Sequence, residues 1–482
     1  MRLANRDIRE ERHRAASDRC RAIALGPILL CVIFAFVRPV AAQPARPSFP
    51  VTFQQAIQYA IDNYPAIRAS TARISAQQSG VDLAQTAYLP RLDWSVQVNR
   101  ATRNNVPGLL LPGTITPAIS GPASDSASSS TIWGSANALL LSWEAFDFGL
   151  RGASVNLARS FVTRATAGAE LTRVEVGVGT ADGFLRLAAA EETVRAARAN
   201  VERQQVFADS VAVLVKNQLR PGADDSRAQA ELALARIQLI QAEQAEQIAR
   251  ANLAQWLGVA PPAVQIAGGP LLEMPPAPPV APPTAAAHPL AETQMATVDA
   301  SRAFQNVLGH SYFPRINFQT AYSLRGTGAS AAGPGGTNLG GSRGLDFDTA
   351  NWAVGLTATF PLFDWFSLRE RQRIEAHTER AEVATYDRIV QQLTAQSEQA
   401  RAEMDGARRV AENTPIQLAS ARVLEQQSRA RYDAGLATII EVADSQRLLL
   451  QAEVGDAVAR LGVWRALVTD AAAKGDVSEL LK

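Results

Sequence analysis

The side chains best suited to catalysis or metal binding are few in this sequence and lie far apart. The four histidines are His13, His288, His310 and His377, and none has a partner at the short spacing that a metal site requires. No nucleophile-elbow motif accompanies them. We therefore interpret the histidines as surface or packing residues. The sequence predicts no catalytic site, no metal site and no bound cofactor, and thus disfavours an enzyme.

Carboxylates offer the remaining chemistry, and two of them follow an abrupt break between helices in Arg429–Glu453, RARYDAGLATIIEVADSQRLLLQAE. Gly435 can adopt the left-handed conformation that ends a helix, and Thr438 with Glu441 forms the S/T-x-x-E capping box that starts the next one. Asp444 follows Glu441 by three positions, so both carboxylates lie on one helical face. The stretch predicts a tight helical hairpin with acidic residues just after its reversal.

The N-terminal residues have the composition of a secretory signal peptide. Seven arginines precede an apolar run of about 16 residues, Ala22–Val37, and Val40–Ala42 offers small residues for cleavage. We expect residues 1–42 to be removed; the alternatives are a retained anchor and a lipoprotein modified at Cys31. Because Cys20 and Cys31 are the two cysteines of the sequence, the exported chain would have neither a disulfide nor a cysteine metal site.

Removal of this segment would change the formal net charge from +1 to about −3, because it contains eight arginines and four acidic residues. The exported chain would then lack the basic surface that nucleic-acid binding requires. No later run approaches the ~18 uninterrupted apolar residues of a membrane-spanning helix. Any insertion into a membrane would have to be by strands.

The rest of the sequence contains an internal repeat. AYLPRLDWSVQV from Ala87 recurs as SYFPRINFQTAY from Ser311, and SWEAFDFGLR from Ser142 recurs as TFPLFDWFSLR from Thr359. Self-similarity of this kind indicates a tandem duplication. The predicted divisions are a signal peptide (1–42), a first repeat (43–270), a proline-rich linker (271–286) and a second repeat (287–482).

Each repeat is predicted to contain a helix, then a β-hairpin, then a long helical hairpin. Apolar and polar residues alternate over Leu92–Val98 in the first repeat and over Ile316–Tyr322 in the second, which is typical of a strand with one apolar face. The returning strands are predicted at Thr131–Phe146 and Asn351–Phe363. Strands of about ten residues or more are long enough for a tilted membrane crossing.

Helical periodicity follows each hairpin and continues for an unusual length, with apolar seams typical of coiled coils. The first long helix, Gly149–Leu219, has about 70 residues and would extend about 105 Å. Its return helix, Asp224–Leu257, covers about half of that length, and the amphipathic segment Thr52–Ala87 supplies the other half. In the second repeat, Ala287–His310 and Thr438–Ala471 take the corresponding places.

A four-stranded sheet with an apolar face cannot remain open in a bilayer, because its two edges would leave backbone groups unpaired in hydrocarbon. Closure requires more strands than one chain provides. Several copies must therefore contribute four strands each to a barrel that the long helices continue as a tunnel. The predicted fold class is an α+β membrane protein built from a tandem structural repeat.

This pattern resembles the outer-membrane efflux proteins, the TolC-like family. The resemblance extends from VTFQQAIQYAIDNYPAI at Val51 to the C-terminal helix near Ala473, and its most specific motifs are FDFG at Phe146, FPLFDW at Phe360 and RYDAGLATIIEVADSQ at Arg431. The family implies a homotrimer, and hence an outer-membrane β-barrel with four strands per chain, continued by a long α-helical periplasmic barrel. It implies an exit duct for tripartite efflux or type I secretion.

The resemblance also implies a periplasmic gate. Its acidic residues would be Glu441 and Asp444, although Glu441 could equally serve only in the capping box. Its closing contact would join Tyr432 to Asp224, although Asp224 could equally be a helix N-cap. Ala437 occupies a place where family members use a basic residue, and Arg220 could serve instead.

The two helix reversals would be the docking tips for a periplasmic adaptor. The first, NQLRPGADD, lacks the glycine that the family usually has before its leucine. Besides the adaptor, the resemblance implies contacts with an inner-membrane transporter and with outer-membrane lipid. The alternative is a periplasmic coiled-coil structural protein without a pore, which the alternating strands disfavour. The implied docking residues are Leu219, Arg220, Gly222, Ala434, Gly435 and Leu436.

Overall fold

The structure is a computed structural model, and its described residues belong to one compact unit, Pro47–Lys482. The expected signal peptide, 1–42, and residues 276–284 of the expected linker lie outside the described residues. The described ranges are 50–102, 131–275, 285–327, 329–330, 338–339, 343–347 and 349–481.

Helices make up most of the described chain. They are α1 (Phe53–Asn63), α2 (Pro65–Thr86), α3 (Leu150–Lys216), α4 (Gly222–Leu257), α5 (Pro289–His310), α6 (Trp365–Asp433) and α7 (Ile439–Lys474). The two long helices, α3 with 67 residues and α6 with 69, each extend about 100 Å. Together, α1, α2 and α4 contain about as many residues as α3, against which all three pack. Short 3₁₀ helices are Pro261–Ala263, Gly269–Leu272, Ala285–Ala287, Arg343–Leu345 and Ser478–Leu481.

Four strands form an antiparallel sheet in the order β1-β2-β3-β4. Within the described residues, β1 and β4 are therefore the two edges of this sheet. A short ladder also joins Ala329–Ser330 to Asn338–Leu339. The strands are β1 (Arg91–Thr102), β2 (Thr131–Phe146), β3 (Arg315–Thr327) and β4 (Thr349–Thr359).

One face of this sheet is apolar and exposed. Trp94, Leu139, Tyr322 and Trp352 lie directly opposite one another and form one row across the four strands. Their exposed fractions are 71, 43, 50 and 78%, respectively. The opposite face carries polar residues such as Ser95, as the alternation in the sequence predicts.

The two hairpins have the same register. Along the sequence, β1 recurs as β3 after 224 positions, whereas β2 recurs as β4 after 217 positions. With these offsets, Arg91 and Ser142 correspond to Arg315 and Thr359, and each pair lies directly opposite in its own ladder. The duplication seen in the sequence is therefore reproduced residue by residue in the strand pairing.

The predicted helix Thr52–Ala87 is interrupted. It divides into α1 and α2 at Tyr64, whose extended backbone (ψ 136°) precedes Pro65. Proline disfavours the helical conformation of the residue before it and supplies no N–H to a helix interior, so it starts a new helix instead.

The predicted strand Asn351–Phe363 is shifted. It begins at Thr349 and ends at Thr359, because Pro361 cannot donate a ladder hydrogen bond. The helix prediction beginning at Ala287 was also too early, since Ala285–Ala287 is a 3₁₀ turn and α5 starts at Pro289.

The largest core cluster lies around α1. Phe53 and Ile57 of α1 pack with Phe184 of α3, Leu253 of α4 and Leu461 of α7. The Phe53 and Phe184 rings meet edge to face, with centroids 5.6 Å apart. This cluster joins both halves of the chain near the middle of the long helix α3.

None of the described helices is both long enough and apolar enough to cross a membrane.

Candidate functional site

The reversal between α6 and α7 is a Schellman motif. Gly435 has φ +77°, and its N–H donates to the carbonyl of Tyr432 at 2.9 Å. The N–H of Leu436 donates to the carbonyl of Arg431 at 2.8 Å. These two bonds satisfy the last carbonyls of α6 and require the left-handed backbone that glycine adopts at least cost.

The reversal between α3 and α4 has the same geometry without a glycine. Gln218 has φ +60°, its N–H donates to Val215 O at 2.9 Å, and Leu219 N–H donates to Leu214 O at 2.9 Å. An L-residue in this conformation costs roughly 1–2 kcal/mol. Gln218 replaces the glycine that the resemblance implies before Leu219, so both reversals form despite the difference in sequence.

Tyr432 links the two reversals. Its side chain is 1% exposed, and its hydroxyl donates to Asp224 Oδ2 at 3.2 Å. Asp224 is the third residue of α4, which begins at Gly222, so it is not the N-cap; Pro221 occupies that position. The structure thus joins the two residues that the resemblance pairs, although they are 208 positions apart.

Arg220 packs over the face of the Tyr432 ring. Its guanidinium carbon is 4.3 Å from the ring centroid, a cation–π contact, and its Nη2 donates to the Tyr432 carbonyl. Burial, followed by the charge of Asp224, raises the pKa of Tyr432 to about 12. At neutral pH the phenol is therefore protonated and able to donate its hydrogen bond.

A hydrophobic cluster supports this arrangement. Phe207 of α3 meets the Tyr432 ring edge to face, with centroids 5.4 Å apart. Leu232 of α4 and Val442 of α7 belong to the same cluster, as does Ala437. Ala437 is buried in this cluster, and the cation in contact with Tyr432 is Arg220.

Two leucines mark the ends of the reversals. Leu219 is 68% exposed and Leu436 is 70% exposed, although both are large apolar side chains. Gly222, Ala434 and Gly435 beside them are also exposed. Each reversal therefore presents one exposed apolar side chain, near Gly222 in the first reversal and next to Ala434 and Gly435 in the second, while Arg220 is partly buried against Tyr432.

The two carboxylates after the second reversal are already engaged. Glu441 Oε1 accepts from the Thr438 N–H at 3.2 Å, which is the glutamate half of the capping box, and also from the Thr438 hydroxyl at 3.3 Å. Asp444 forms an ion pair with Arg447, and both of these side chains are exposed. In the described part of the chain, neither carboxylate bonds to the Tyr432–Asp224 pair.

The histidines of the described residues have packing roles or lie on the surface. His288 caps α5: its Nδ1 accepts from Leu290 N–H at 3.0 Å, so its Nε2 is the donor to Ala472 O at 3.0 Å. His310 Nδ1 donates to Phe148 O at 3.0 Å. His377 is exposed on α6. Within the described ranges, no group of three His, Cys, Asp or Glu side chains is arranged to hold a metal ion.

FDFG forms a hydrogen-bonded turn between β2 and α3, which the sequence analysis did not predict although it used FDFG as a motif. Asp147 Oδ1 accepts from Gly149 N–H at 3.2 Å, and its Oδ2 accepts from the Arg151 backbone N–H at 2.6 Å and from Arg151 Nε at 2.9 Å. Phe148 and Gly149 have positive φ, +52° and +97°. An aspartate two residues before a glycine at a strand-to-helix junction is the signal that could have identified this turn.

Known proteins share both the sequence pattern and the fold. The chain is 26% identical to Protein CyaE of Bordetella pertussis over 410 residues, 81% of this chain and 77% of that protein. The CmeC outer membrane channel of Campylobacter jejuni superposes with TM-score 0.71 at 14% identity, covering 88% of this chain and 85% of that one. The outer membrane protein VceC of Vibrio cholerae superposes with TM-score 0.69 at 15% identity, covering 88% and 96%.

These structural likenesses, at low identity, establish the fold. The family model for "Outer membrane efflux protein" matches residues 56–259 and 286–469, which is most of the chain. Both matched segments include a hairpin and its long helices. The chain therefore belongs to the outer membrane efflux protein family, and is an efflux channel protein of the outer membrane rather than an enzyme.

Proposed function

We propose that three copies of the chain form a closed channel, the exit duct of a tripartite efflux or type I secretion system. The observation that carries this proposal is a sheet with an exposed apolar face and two edges, attached to helices about 100 Å long. Closing three such sheets into one barrel removes every edge. The helices then continue the barrel into the periplasm.

The apolar face would contact outer-membrane lipid. Trp94 and Trp352 are among its most exposed residues and belong to the same row as Tyr322. Tryptophan and tyrosine favour the boundary between hydrocarbon and headgroups, where their polar N–H and O–H groups reach water. Trp94 Nε1 already donates to Asn137 Oδ1 at 2.8 Å on this face.

The chain would divide as the sequence predicts, into a signal peptide (1–42), two repeats (43–270 and 287–482) and a linker (271–286). Two separate family matches and the shared hairpin register support the two repeats. The first linker residues lie along α7, where Trp464 Nε1 donates to Glu273 O at 3.0 Å.

The two reversals would dock a periplasmic adaptor that connects the duct to an inner-membrane transporter. Exposed Leu219 and Leu436 would enter apolar sites on the adaptor, and the small residues Gly222, Ala434 and Gly435 would let its backbone approach closely.

The same end of the molecule would hold the gate. In this proposal, Tyr432, Asp224 and Arg220 keep the α3–α4 and α6–α7 hairpins of one chain together in the closed state. Glu441 and Asp444 would form an acidic ring at the periplasmic mouth. Part of that charge is offset locally, because Glu441 also caps α7 and Asp444 pairs with Arg447.

The proposal is tested by extracting the protein from outer membranes with detergent and measuring its mass and its conductance in planar bilayers. We expect a trimer that forms discrete ion-conducting channels. A periplasmic coiled-coil protein without a pore is the alternative, and it predicts a water-soluble protein that leaves the bilayer non-conducting. Recovery of that soluble form from the periplasm would refute the channel.

A further inference from the structure

Two surfaces, one in each repeat, lack partners in the described chain: the edge of β1 with the end of α2, and the edge of β4 with the start of α6. We infer that these surfaces pair between copies in one specific register, with Thr359 of one copy opposite Ser95 of the next. This inference rests on the proposed assembly and defines which residues meet in it.

The register follows from the contact between the two repeats inside one chain. There, β2 of the first repeat pairs with β3 of the second, and Ser142 lies directly opposite Gln319. The counterpart of β2 is β4, 217 positions later, and the counterpart of β3 is β1, 224 positions earlier. The pair Ser142–Gln319 therefore becomes Thr359–Ser95, which can form only between two copies.

The two offsets, 224 and 217 positions, reproduce a register that is observed inside the chain. Applied to the β1–β2 ladder, they generate the β3–β4 ladder: Trp94 opposite Leu139 becomes Phe318 opposite Leu356, as observed. Because one application of the repeat reproduces an observed register, we apply the same operation at the junction between copies.

The inferred register also matches the faces of the two edge strands. It places Leu356 opposite Val98, and both side chains are exposed apolar residues. It places Thr357 opposite Gln97 on the polar face. A slip of one residue would instead set the apolar side chains of β4 against the polar ones of β1, because side chains alternate with period two.

A second contact supports the same pairing. Where the repeats meet inside the chain, Phe148 stacks on Phe313 with centroids 5.8 Å apart. The offsets convert this pair into Trp365 of one copy and Leu89 of the next, and both are exposed in the single chain. Both positions at which the repeat predicts an apolar contact, Trp365 and Leu89, therefore carry an apolar residue.

The surrounding residues extend this complementarity. Leu83 on α2 is exposed beside Leu89, and Phe363 and Phe366 are exposed beside Trp365. The two surfaces differ in sequence, so the contact runs head to tail, and such a contact gives a closed ring when its rotation closes. Burial of these side chains then accompanies the pairing of both strand edges.

Cysteine cross-linking tests the register. The full chain would carry Ser95→Cys with Thr359→Cys, since its cysteines otherwise occur only at positions 20 and 31. Residues directly opposite in an antiparallel ladder have Cα atoms about 4.5–5.5 Å apart, within the range of a disulfide. Diagonal neighbours are about 7–8 Å apart and fall outside it. Inside one chain, β2 and β3 lie between β1 and β4, so Ser95 and Thr359 are at least about 14 Å apart and an intrachain disulfide cannot compete.

We expect Ser95→Cys/Thr359→Cys to give covalent dimers and trimers on non-reducing gels, with at least about tenfold more product than Gln97→Cys/Thr359→Cys. The second in-register pair, Gln97→Cys/Thr357→Cys, should behave like the first. It also provides the result if the first variant fails to fold.

The outcomes separate the register from the proposed assembly. If the displaced pair cross-links as well as or better than the in-register pairs, the inferred register is wrong while the oligomer stands. If no pair cross-links in a protein that still migrates as a native trimer, strand pairing between these edges is wrong. Recovery of the parent protein, without the added cysteines, as a soluble monomer would instead refute the proposed channel.

Discussion

Replacing Tyr432 with phenylalanine isolates the hydrogen bond between the two hairpin tips. The change removes the 3.2 Å bond to Asp224 and keeps the ring between Phe207 and Arg220. A hydrogen bond to a charged group contributes about 1.5–3 kcal/mol. Asp224 is partly exposed and regains water, so we expect a loss near or slightly below the lower limit of that range, about 1–2 kcal/mol. The open population of the tip should rise about 5- to 30-fold.

Two assays measure this effect on the assembled protein. Hydrogen exchange of the amides around Gly435 should accelerate by that factor, and channels in planar bilayers should spend more time in the conducting state. The matched control is Tyr386→Phe, because Tyr386 is partly buried on α6 far from the tip in sequence. Equal exchange and equal conductance in the parent and Tyr432→Phe would refute the closing role of this bond.

The same group gives a pH dependence with a defined sign. Burial and then Asp224 raise the pKa of Tyr432 to about 12, whereas a free tyrosine titrates near ~10. Since the pKa is higher when the two hairpins are joined, the contribution of Tyr432 to joining them is complete below pH ~10 and is lost as the pH rises through about 12. Tyrosinate absorbance of the parent minus that of Tyr432→Phe should show this late titration.

Three further substitutions test the tips. Gly435→Val places a β-branched residue at φ +77° and should abolish pump-dependent export while trimers persist; normal export at normal protein level would exclude the docking role. Gln218→Gly relieves the left-handed strain at φ +60° and should slow hydrogen exchange at the first tip, with a gain of up to about 1 kcal/mol; faster exchange would contradict this. Asp444→Asn with Glu441→Gln should weaken cation preference and divalent block in planar bilayers, because both negative charges are removed. The helix should persist, since glutamine keeps the capping box, and unchanged values would leave these carboxylates as a solvated helix start.

Local patterns carried most of the fold. The capping box of Thr438 and Glu441, the glycine at 435 and the alternating strands are all determined by near neighbours in sequence, and the structure contains each of them. Pro65 also indicates a break in the helix by a local rule, since proline disfavours a helical residue before it. The prediction of one helix followed the amphipathic pattern on either side instead.

Other features depend on contacts between distant residues. Arg220 bonds to the carbonyl of Tyr432 across 212 positions, and no local pattern connects a cation in one reversal to an aromatic ring in the other. The left-handed Gln218 was likewise unpredictable from its residue type, because the intrinsic preference opposes it. Packing of the hairpin therefore determines the left-handed backbone of Gln218, at a cost in conformational free energy.

The exposed edges of the sheet have a consequence for how the protein is made. A strand edge with unpaired N–H and C=O groups accepts any other strand, and here each edge borders exposed apolar side chains, such as Val96 on β1 and Val354 on β4. Before the proposed assembly, the chain would therefore be prone to aggregate, and productive association would compete with misassembly. Folding yield should depend on the concentration of newly exported chains and on chaperones that shield these edges until a second copy arrives.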